Sequence, residues 1–331
     1  MSDAESVGAD ASPVVAFGRL VRIALAPSAI ADVLTGLAIG YAGSYPDSPL
    51  AWLLVPASFG VYHGAMALND WSDREEDART RPERPIPSGA IAAPLALLIS
   101  LVLLTGGLMW AGAASPRAGI WMLVVAASAV AYDLAGRGPL RGPLLLGLCR
   151  AGNLGVGAAA PWLMATTESG PGPFPVELVP LLLAYGSHVF FLSRLGRLED
   201  DEDTGALGER PADALRGVAA TAALLPFAAY WAVRGAGDGP GPALVGLAVA
   251  LGLGLKNAAG ARSSAREGGE GGWTRADVGR ATGGCLRRLP FVSASIAAAA
   301  LLLGPMGPTA ALFALVGGKV SGSLRRLFPL T

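Results

Sequence analysis

The chain has 331 residues, of which 52% are hydrophobic and only 15% are charged. A soluble domain carries roughly 25% charged residues, so this composition indicates that most of the chain lies in lipid. The formal net charge is zero, which argues against a nucleic-acid partner, because duplex binding needs a clustered excess of Lys and Arg. The two cysteines, Cys149 and Cys285, lack the spacing of a metal or disulfide motif and are expected to pack inside the protein.

Small, polar and acidic residues dominate the beginning of the chain. This segment lacks the basic start and apolar core of an export signal. We therefore expect a disordered cytoplasmic tail at 1–17, followed by one transmembrane domain at 18–331.

Long apolar runs divide most of the chain. A membrane span needs about 20 mostly apolar residues. Such runs lie near 22–42, 50–69, 91–113, 117–135, 142–165, 177–197, 213–234, 239–260 and 286–304. A shorter run at 307–318 follows two Gly-Pro pairs, which leaves a tenth span open. The sequence predicts an all-α, multi-pass transmembrane bundle of about nine helices, or ten.

Arginines collect in alternate loops of this pattern. They precede the first span, follow the second and the fourth, surround the end of the sixth, and fill the loop after the eighth. Basic residues favour the cytoplasmic side of a membrane. The pattern predicts a cytoplasmic N-terminus.

An acidic run closes the second span. Asn69, Asp70, Asp73 and Asp77 fall within roughly a third of the helix circumference at about 100° per residue. Magnesium prefers hard oxygen ligands and is usually held by one or two carboxylates together with phosphate oxygens. We interpret this face as a magnesium site shared with a diphosphate. The alternative is a hydrated helix end whose acids pair with neighbouring arginines.

A second acidic run, 199–203, follows the sixth span directly and lies on the same predicted side of the membrane. Between the two runs, the segment 79–89 combines arginines with prolines. Because a guanidinium group offers a fork of donors to phosphate oxygens, Arg84 is a candidate phosphate contact. Arg194 and Arg197, one turn apart before the second run, could supply further positive charge.

Several polar residues lie inside the apolar runs. His63 and His188 are expected to be neutral and hydrogen-bonded to neighbouring helices. Arg150 and Asn153 lie one turn apart on the fifth span. Asn153 is either a polar contact for substrate or a bond between helices.

The pattern Asn69-Asp70-x-x-Asp73-x-x-x-Asp77, followed by Arg-Pro-Ile-Pro-Ser-Gly at 84–89, resembles the first motif of the UbiA superfamily of intramembrane prenyltransferases. The hydrophobic plan is similar over nearly the whole chain, and the second acidic run also follows the sixth span in that family. The regions 132–133, 142–144 and 149–154 further resemble the EboC-like branch.

The resemblance implies a bundle of about nine helices around a central cavity, with Mg²⁺ ions that bridge an isoprenyl diphosphate. The residues that match its two motifs, and so carry a catalytic role, are Asn69, Asp70, Asp73, Asp77, Asp200 and Asp203. The implied magnesium ligands are Asp70, Asp73, Asp77, Asp200 and Asp203. The implied substrate contacts are Arg84, Arg194, Arg197, Arg150, Asn153 and Tyr132.

The implied activity is transfer of an isoprenyl group to a lipophilic, aromatic acceptor by a protein of the cell membrane, with membrane lipid as its surroundings. The composition, with only two lysines, suggests a GC-rich bacterial genome. The second motif departs from the family pattern, because Glu199 stands where many relatives carry a lysine and Leu207 lies near the place of a third acid.

Two other functions remain open at this point. One is a UbiA-like protein that binds a lipophilic metabolite without transferring anything. The other is a phosphoalcohol transferase of lipid synthesis, whose motif places Gly and an Ala-Arg pair among the first acids. The residues at 73–77 do not fit that motif.

Overall fold

The computed structural model describes residues 12–135, 138–165, 172–199, 207–236, 240–267 and 272–328, which form helices and connecting turns without strands. The predicted all-α class is confirmed over these residues. The first half contains α1 Pro13–Leu20, α2 Ala26–Gly40, α3 Leu54–Ser72, α4 Arg74–Thr80, α5 Ala93–Ala114, α6 Pro116–Leu134 and α7 Arg141–Ala158. The second half contains α8 Ala160–Leu163, α9 Val179–Arg197, α10 Arg210–Val233, α11 Pro240–Glu267, α12 Arg275–Ala298 and α13 Met306–Leu327. Short 3₁₀ turns at Ile23–Leu25, Pro49–Leu53 and Val176–Leu178 precede α2, α3 and α9.

Within these described ranges, seven helical segments are long and apolar enough to cross a membrane. They are Ile23–Gly40, Pro49–Ser72, Ala93–Ala114, Pro116–Leu134, Val176–Arg197, Arg210–Val233 and Pro240–Arg266. Helices α7, α12 and α13 also pack into the bundle. The charged first half of α12 and the glycines of α7 lower their apolar content.

Three boundaries differ from the sequence expectations. Pro13–Leu20 is helical, so residues 13–17 are not the disordered tail that we expected, and residues 1–11 lie outside the described part. Helix α12, which corresponds to the ninth predicted span, begins at Arg275 rather than near 286, because Thr274 and Asp277 form a reciprocal capping box there. Helix α13, which contains the apolar run at 307–318, has 22 residues and is longer than that run.

Glycines bring α2 and α7 into backbone contact at the centre of the bundle. A β-carbon on Gly157 would lie 2.8 Å from the backbone nitrogen of Leu37 and would also collide with the carbonyl oxygen of Val33. Gly36 meets the backbone of α7 in the same way. Small residues allow such close approach in membranes, where packing rather than the hydrophobic effect holds helices together.

We expect Gly157→Ala to lower the free energy of unfolding by about 1–3 kcal/mol, because the added methyl forces α2 and α7 apart. Thermal unfolding in detergent measures this effect. Gly106 in α5 is the matched control, since a β-carbon there meets nothing within 4 Å. Gly106→Ala should be neutral or stabilising, by about 0.5–1 kcal/mol. Equal effects of the two changes would contradict the close packing of α2 and α7.

Candidate active site

The first acidic run occupies a helix break. Asn69 and Asp70 lie on the last turn of α3 and are both buried, with 9% and 4% of their surface exposed. Asp73 separates α3 from α4, and its side chain accepts a hydrogen bond from the Ser72 hydroxyl at 3.3 Å. Asp77 lies on α4 and is 1% exposed. Asn69 and Asp70 before the break and Asp77 after it therefore all lie in the protein interior.

Two arginines from other segments enter this cluster. Arg22, between α1 and the first 3₁₀ turn, places Nη2 at 2.9 Å from Oδ1 of Asp70 and 3.3 Å from Oδ1 of Asn69. Arg84, in the loop after α4, places Nη1 at 2.6 Å from Oδ2 of Asp77 and 3.6 Å from Oδ1 of Asp70. Asp70 thus lies between two guanidinium groups.

Helix α6 adds a further carboxylate. The Asn69 side-chain nitrogen Nδ2 donates to Oδ1 of Asp133 at 3.0 Å. Tyr132, the preceding residue and a predicted substrate contact, is half-buried on the same turn of α6. The sequence indicated only that Arg22 helps to orient the chain in the membrane and that Asp133 belongs to the likeness to the EboC-like branch. Neither residue is close to the acidic run in sequence, so spacing could not place them in the cluster.

The second acidic run is only partly covered by the described residues. Asp200 and Asp203 lie outside them. Arg194 and Arg197 occupy the last turn of α9, where Arg194 is exposed and Arg197 half-buried. The exposed Glu199 approaches α12, since a β-carbon on Gly279 would lie 2.8 Å from its Oε1. The placement of the second motif therefore stays a prediction.

A separate polar group lies deeper in the bundle. Arg150 of α7 places Nη2 at 3.1 Å from Oδ2 of Asp32 on α2, and both side chains are buried. The Tyr185 hydroxyl of α9 donates to Oδ1 of Asp32 at 2.7 Å, and the Ser293 hydroxyl of α12 donates to the same atom at 3.3 Å. Four helices therefore meet at one carboxylate.

The predicted contacts Arg150 and Asn153 belong to this deeper group. Asn153 accepts a hydrogen bond from the Ser58 hydroxyl at 2.6 Å and donates to the Ala29 carbonyl at 3.0 Å. Asn153 was predicted to be either a substrate contact or a hydrogen bond between helices, and these contacts match the second interpretation. Ser58 precedes Asp70 by 12 residues on α3, which corresponds to about 18 Å along the helix. The structure does not bring Arg150 and Asn153 to the acidic cluster.

The two histidines bond to neighbouring segments as expected. Nδ1 of His188 lies 2.9 Å from the Thr221 hydroxyl of α10. Nδ1 of His63 lies 2.6 Å from the carbonyl oxygen of Val21.

A cavity of about 600 Å³ lies at the other end of the bundle from the acidic cluster. Its walls include Ile39 and Gly40 at the end of α2, together with Trp162, Leu178 and Trp231.

The donor chemistry of the acidic cluster fits magnesium. Asn69 offers an amide oxygen, and Asp70 and Asp77 offer carboxylate oxygens, which are the hard ligands that this ion prefers. Both arginines approach Asp70 through Oδ1. The part of the chain that the structure describes contains no group of three or more His, Cys, Asp or Glu side chains able to hold a metal. Phosphate oxygens or the second acidic run would have to complete the coordination.

Comparison with known proteins identifies the class. The model of the UbiA prenyltransferase family matches residues 29–267. The bacteriochlorophyll synthase 33 kDa chain of Rhodobacter capsulatus is 32% identical over 149 residues, which cover 43% of this chain and 47% of that protein. The chain belongs to the UbiA prenyltransferase family.

Solved structures share the fold. A UbiA homolog from Archaeoglobus fulgidus, bound to GPP and Mg²⁺, covers 85% of this chain and 99% of its own with a TM-score of 0.56 at 14% identity. A structure described as digeranylgeranylglyceryl phosphate synthase in membranes covers 88% and 99% with a TM-score of 0.60 at 18% identity. At these identities the likeness concerns the fold alone. The chain spans about half the length, or less, of the curated relatives that it matches.

Proposed function

We propose that this protein is a magnesium-dependent prenyltransferase that moves an isoprenyl group from an isoprenyl diphosphate to a lipophilic, aromatic acceptor. The observation that carries the proposal is the buried cluster of Asn69, Asp70 and Asp77 with Arg22 and Arg84. Oxygen ligands for a cation and guanidinium donors for phosphate lie side by side there. A diphosphate needs both, because its charge must be neutralised when it leaves.

In the proposed reaction the bond between the diphosphate oxygen and the allylic carbon breaks, and the diphosphate keeps the bonding electron pair. The allylic carbon then bonds to the acceptor, which releases a proton. Asn69, Asp70 and Asp77, with Asp73, Asp200 and Asp203, would hold magnesium, which supplies positive charge to the leaving group. Arg22 and Arg84 would turn from the carboxylates to the phosphate oxygens once the cation is bound.

The remaining site residues are proposals of the same kind. Arg194 and Arg197 would add positive charge beside the second acidic run, and Tyr132 would contact substrate from the turn of α6 that carries Asp133. Arg150 and Asn153 lie deeper, so a role in binding would concern the prenyl chain or acceptor rather than the diphosphate.

The cellular setting is also a proposal. The protein would span a bacterial cell membrane, with membrane lipid around it and both acidic runs on the cytoplasmic side, as the arginine-rich loops favour. We also propose the EboC-like branch as its subfamily, because of the residues at 132–133, 142–144 and 149–154.

The experiment that tests the proposed function is thermal unfolding of the purified protein in detergent with farnesyl, geranylgeranyl and longer diphosphates. A ligand that binds only the folded state raises the stability increasingly with its concentration over Kd, by about 2.7 kcal/mol at 100 Kd. We expect a shift that requires magnesium and disappears with a chelator. Inorganic diphosphate is the control for the prenyl chain. No shift with any chain length would overturn the proposal of a diphosphate site.

The second candidate is a non-catalytic protein that binds a lipophilic metabolite. Glu199, in place of the lysine of many relatives, is the feature that favours it. A protein that binds a lipophilic ligand but shows no magnesium-dependent binding of isoprenyl diphosphate would support this candidate.

A further inference from the structure

The backbone at Arg22 has an unusual conformation. Its φ of 51° and ψ of 49° place it in the left-handed region, between the end of α1 and the 3₁₀ turn Ile23–Leu25. A residue with a β-carbon adopts this conformation at a cost of about 1–3 kcal/mol, so the surroundings must hold it there. From this position the guanidinium group reaches Asp70 and Asn69.

His63 of α3 contacts the peptide bond that precedes Arg22. Its Nδ1 lies 2.6 Å from the carbonyl oxygen of Val21. Because a carbonyl oxygen only accepts hydrogen bonds, Nδ1 must carry the hydrogen, and this contact fixes the tautomer. The ring is fully buried, with centroids 4.3 Å from Phe59 and 5.2 Å from Tyr62. The donor is thus held in one orientation.

The other ring nitrogen of His63 argues against a role in packing alone. Nε2 is buried without a hydrogen-bond partner among the described residues. A buried acceptor left unmatched costs about 1–3 kcal/mol, which a phenylalanine of similar shape would avoid. The hydrogen bond from Nδ1 to the Val21 carbonyl therefore explains why an imidazole, rather than a phenyl ring, occupies this place. His188 differs, because its partner is the hydroxyl of Thr221 on the regular helix α10.

We propose that His63 is a positioning residue of the acidic cluster: through the Val21 carbonyl it holds the left-handed turn that directs Arg22 to Asp70 and to the bound diphosphate. The inference rests on the proposed function. His63 precedes Asp70 by seven residues, so two helical turns of α3 bring both side chains to nearly the same face. One helix thus carries the carboxylate and also the group that orients its cationic partner.

The experiment is a double-mutant cycle on the full chain. His63→Phe keeps a ring but removes the donor, whereas His63→Gln keeps an N–H donor. The measured quantity is the Kd of geranylgeranyl diphosphate at fixed magnesium, with Arg22 present and with Arg22→Ala. We expect His63→Phe to weaken binding about tenfold when Arg22 is present and to have no further effect in Arg22→Ala. His63→Gln should recover part of the affinity.

His188→Phe is the matched control, and it should leave the Kd unchanged. Unchanged binding in His63→Phe, or equal weakening in both Arg22 backgrounds, would overturn the inference, because His63 would then act without Arg22.

A second readout does not depend on substrate. Hydrogen exchange of the amides of residues 22–25 should be faster in His63→Phe than in the wild type, in His63→Gln and in His188→Phe. Unchanged exchange would overturn the inference. Failure of the wild type to bind any diphosphate would instead overturn the proposed function, while hydrogen exchange would still decide the role of His63. If His63→Phe does not fold, exchange measured in His63→Gln decides: protection like that of the wild type supports the N–H bond, and lost protection contradicts it.

Discussion

Asp70→Asn is expected to weaken magnesium-dependent binding of an isoprenyl diphosphate by at least about 100-fold. Mutation of a residue that only hydrogen-bonds to a metal ligand typically lowers metal affinity by about 10–100-fold. Loss of the charge of a ligand itself should therefore have a larger effect. The amide has nearly the same size as the carboxylate. It removes the charge that would attract magnesium and that pairs with Arg22 and Arg84. Titration with geranylgeranyl diphosphate at fixed magnesium measures the loss, and turnover in membranes should fall with it.

Glu75 provides the matched control for this change. It lies two residues after Asp73, where α3 and α4 meet, but its side chain is 82% exposed. Among the contacts described, it pairs with Arg74 at 3.1 Å. Exposed pairs of this kind contribute little. Glu75→Gln should therefore bind diphosphate as the wild type does. If Asp70→Asn also binds normally, the diphosphate site lies elsewhere.

Arg150→Met is expected to lower the free energy of unfolding by about 3–5 kcal/mol. The change leaves the carboxylate of Asp32, which is fully buried, without the cation at 3.1 Å. Removing one partner of a buried pair is far more damaging than removing both, since the remaining charge has lost its hydration. Thermal unfolding in detergent is the measurement.

The double variant Asp32→Asn with Arg150→Met tests the pairing itself. Neutralising the carboxylate should restore much of the stability that Arg150→Met loses. Additive losses would show that the two residues contribute independently.

Local patterns were enough to predict the all-α class and most of the apolar helices. The apolar runs marked the spans because lipid demands long apolar segments. The spacing of Asn69, Asp70, Asp73 and Asp77 predicted a single helix face. The structure breaks the helix at Asp73 but still buries Asn69, Asp70 and Asp77 in one cluster. The start of α12 was missed, because its first turns are charged and only the pair Thr274 and Asp277 signals it.

Contacts between distant residues could not be predicted from spacing. Asp32 and Arg150 are 118 residues apart, and neither follows a pattern that names the other. The sequence suggested Arg150 as a substrate contact, but its partner appears only when α2 and α7 pack. Arg22 reaches the acidic cluster because its backbone is left-handed. An arginine gives no indication of that conformation in the sequence.

The last helix bears on the order in which the protein is assembled. The hydroxyl of Ser321 on α13 donates to the carbonyl of Ala24, in the 3₁₀ turn beside Arg22, and the Phe328 ring packs against Gly18 of α1. Most of the acidic cluster comes from residues 22–84, which the ribosome makes early. The hydrogen bond from Ser321 to the Ala24 carbonyl can form only after α13 has been synthesised. The turn that carries Arg22 therefore gains this contact late in synthesis, although the residues of the first motif are made early.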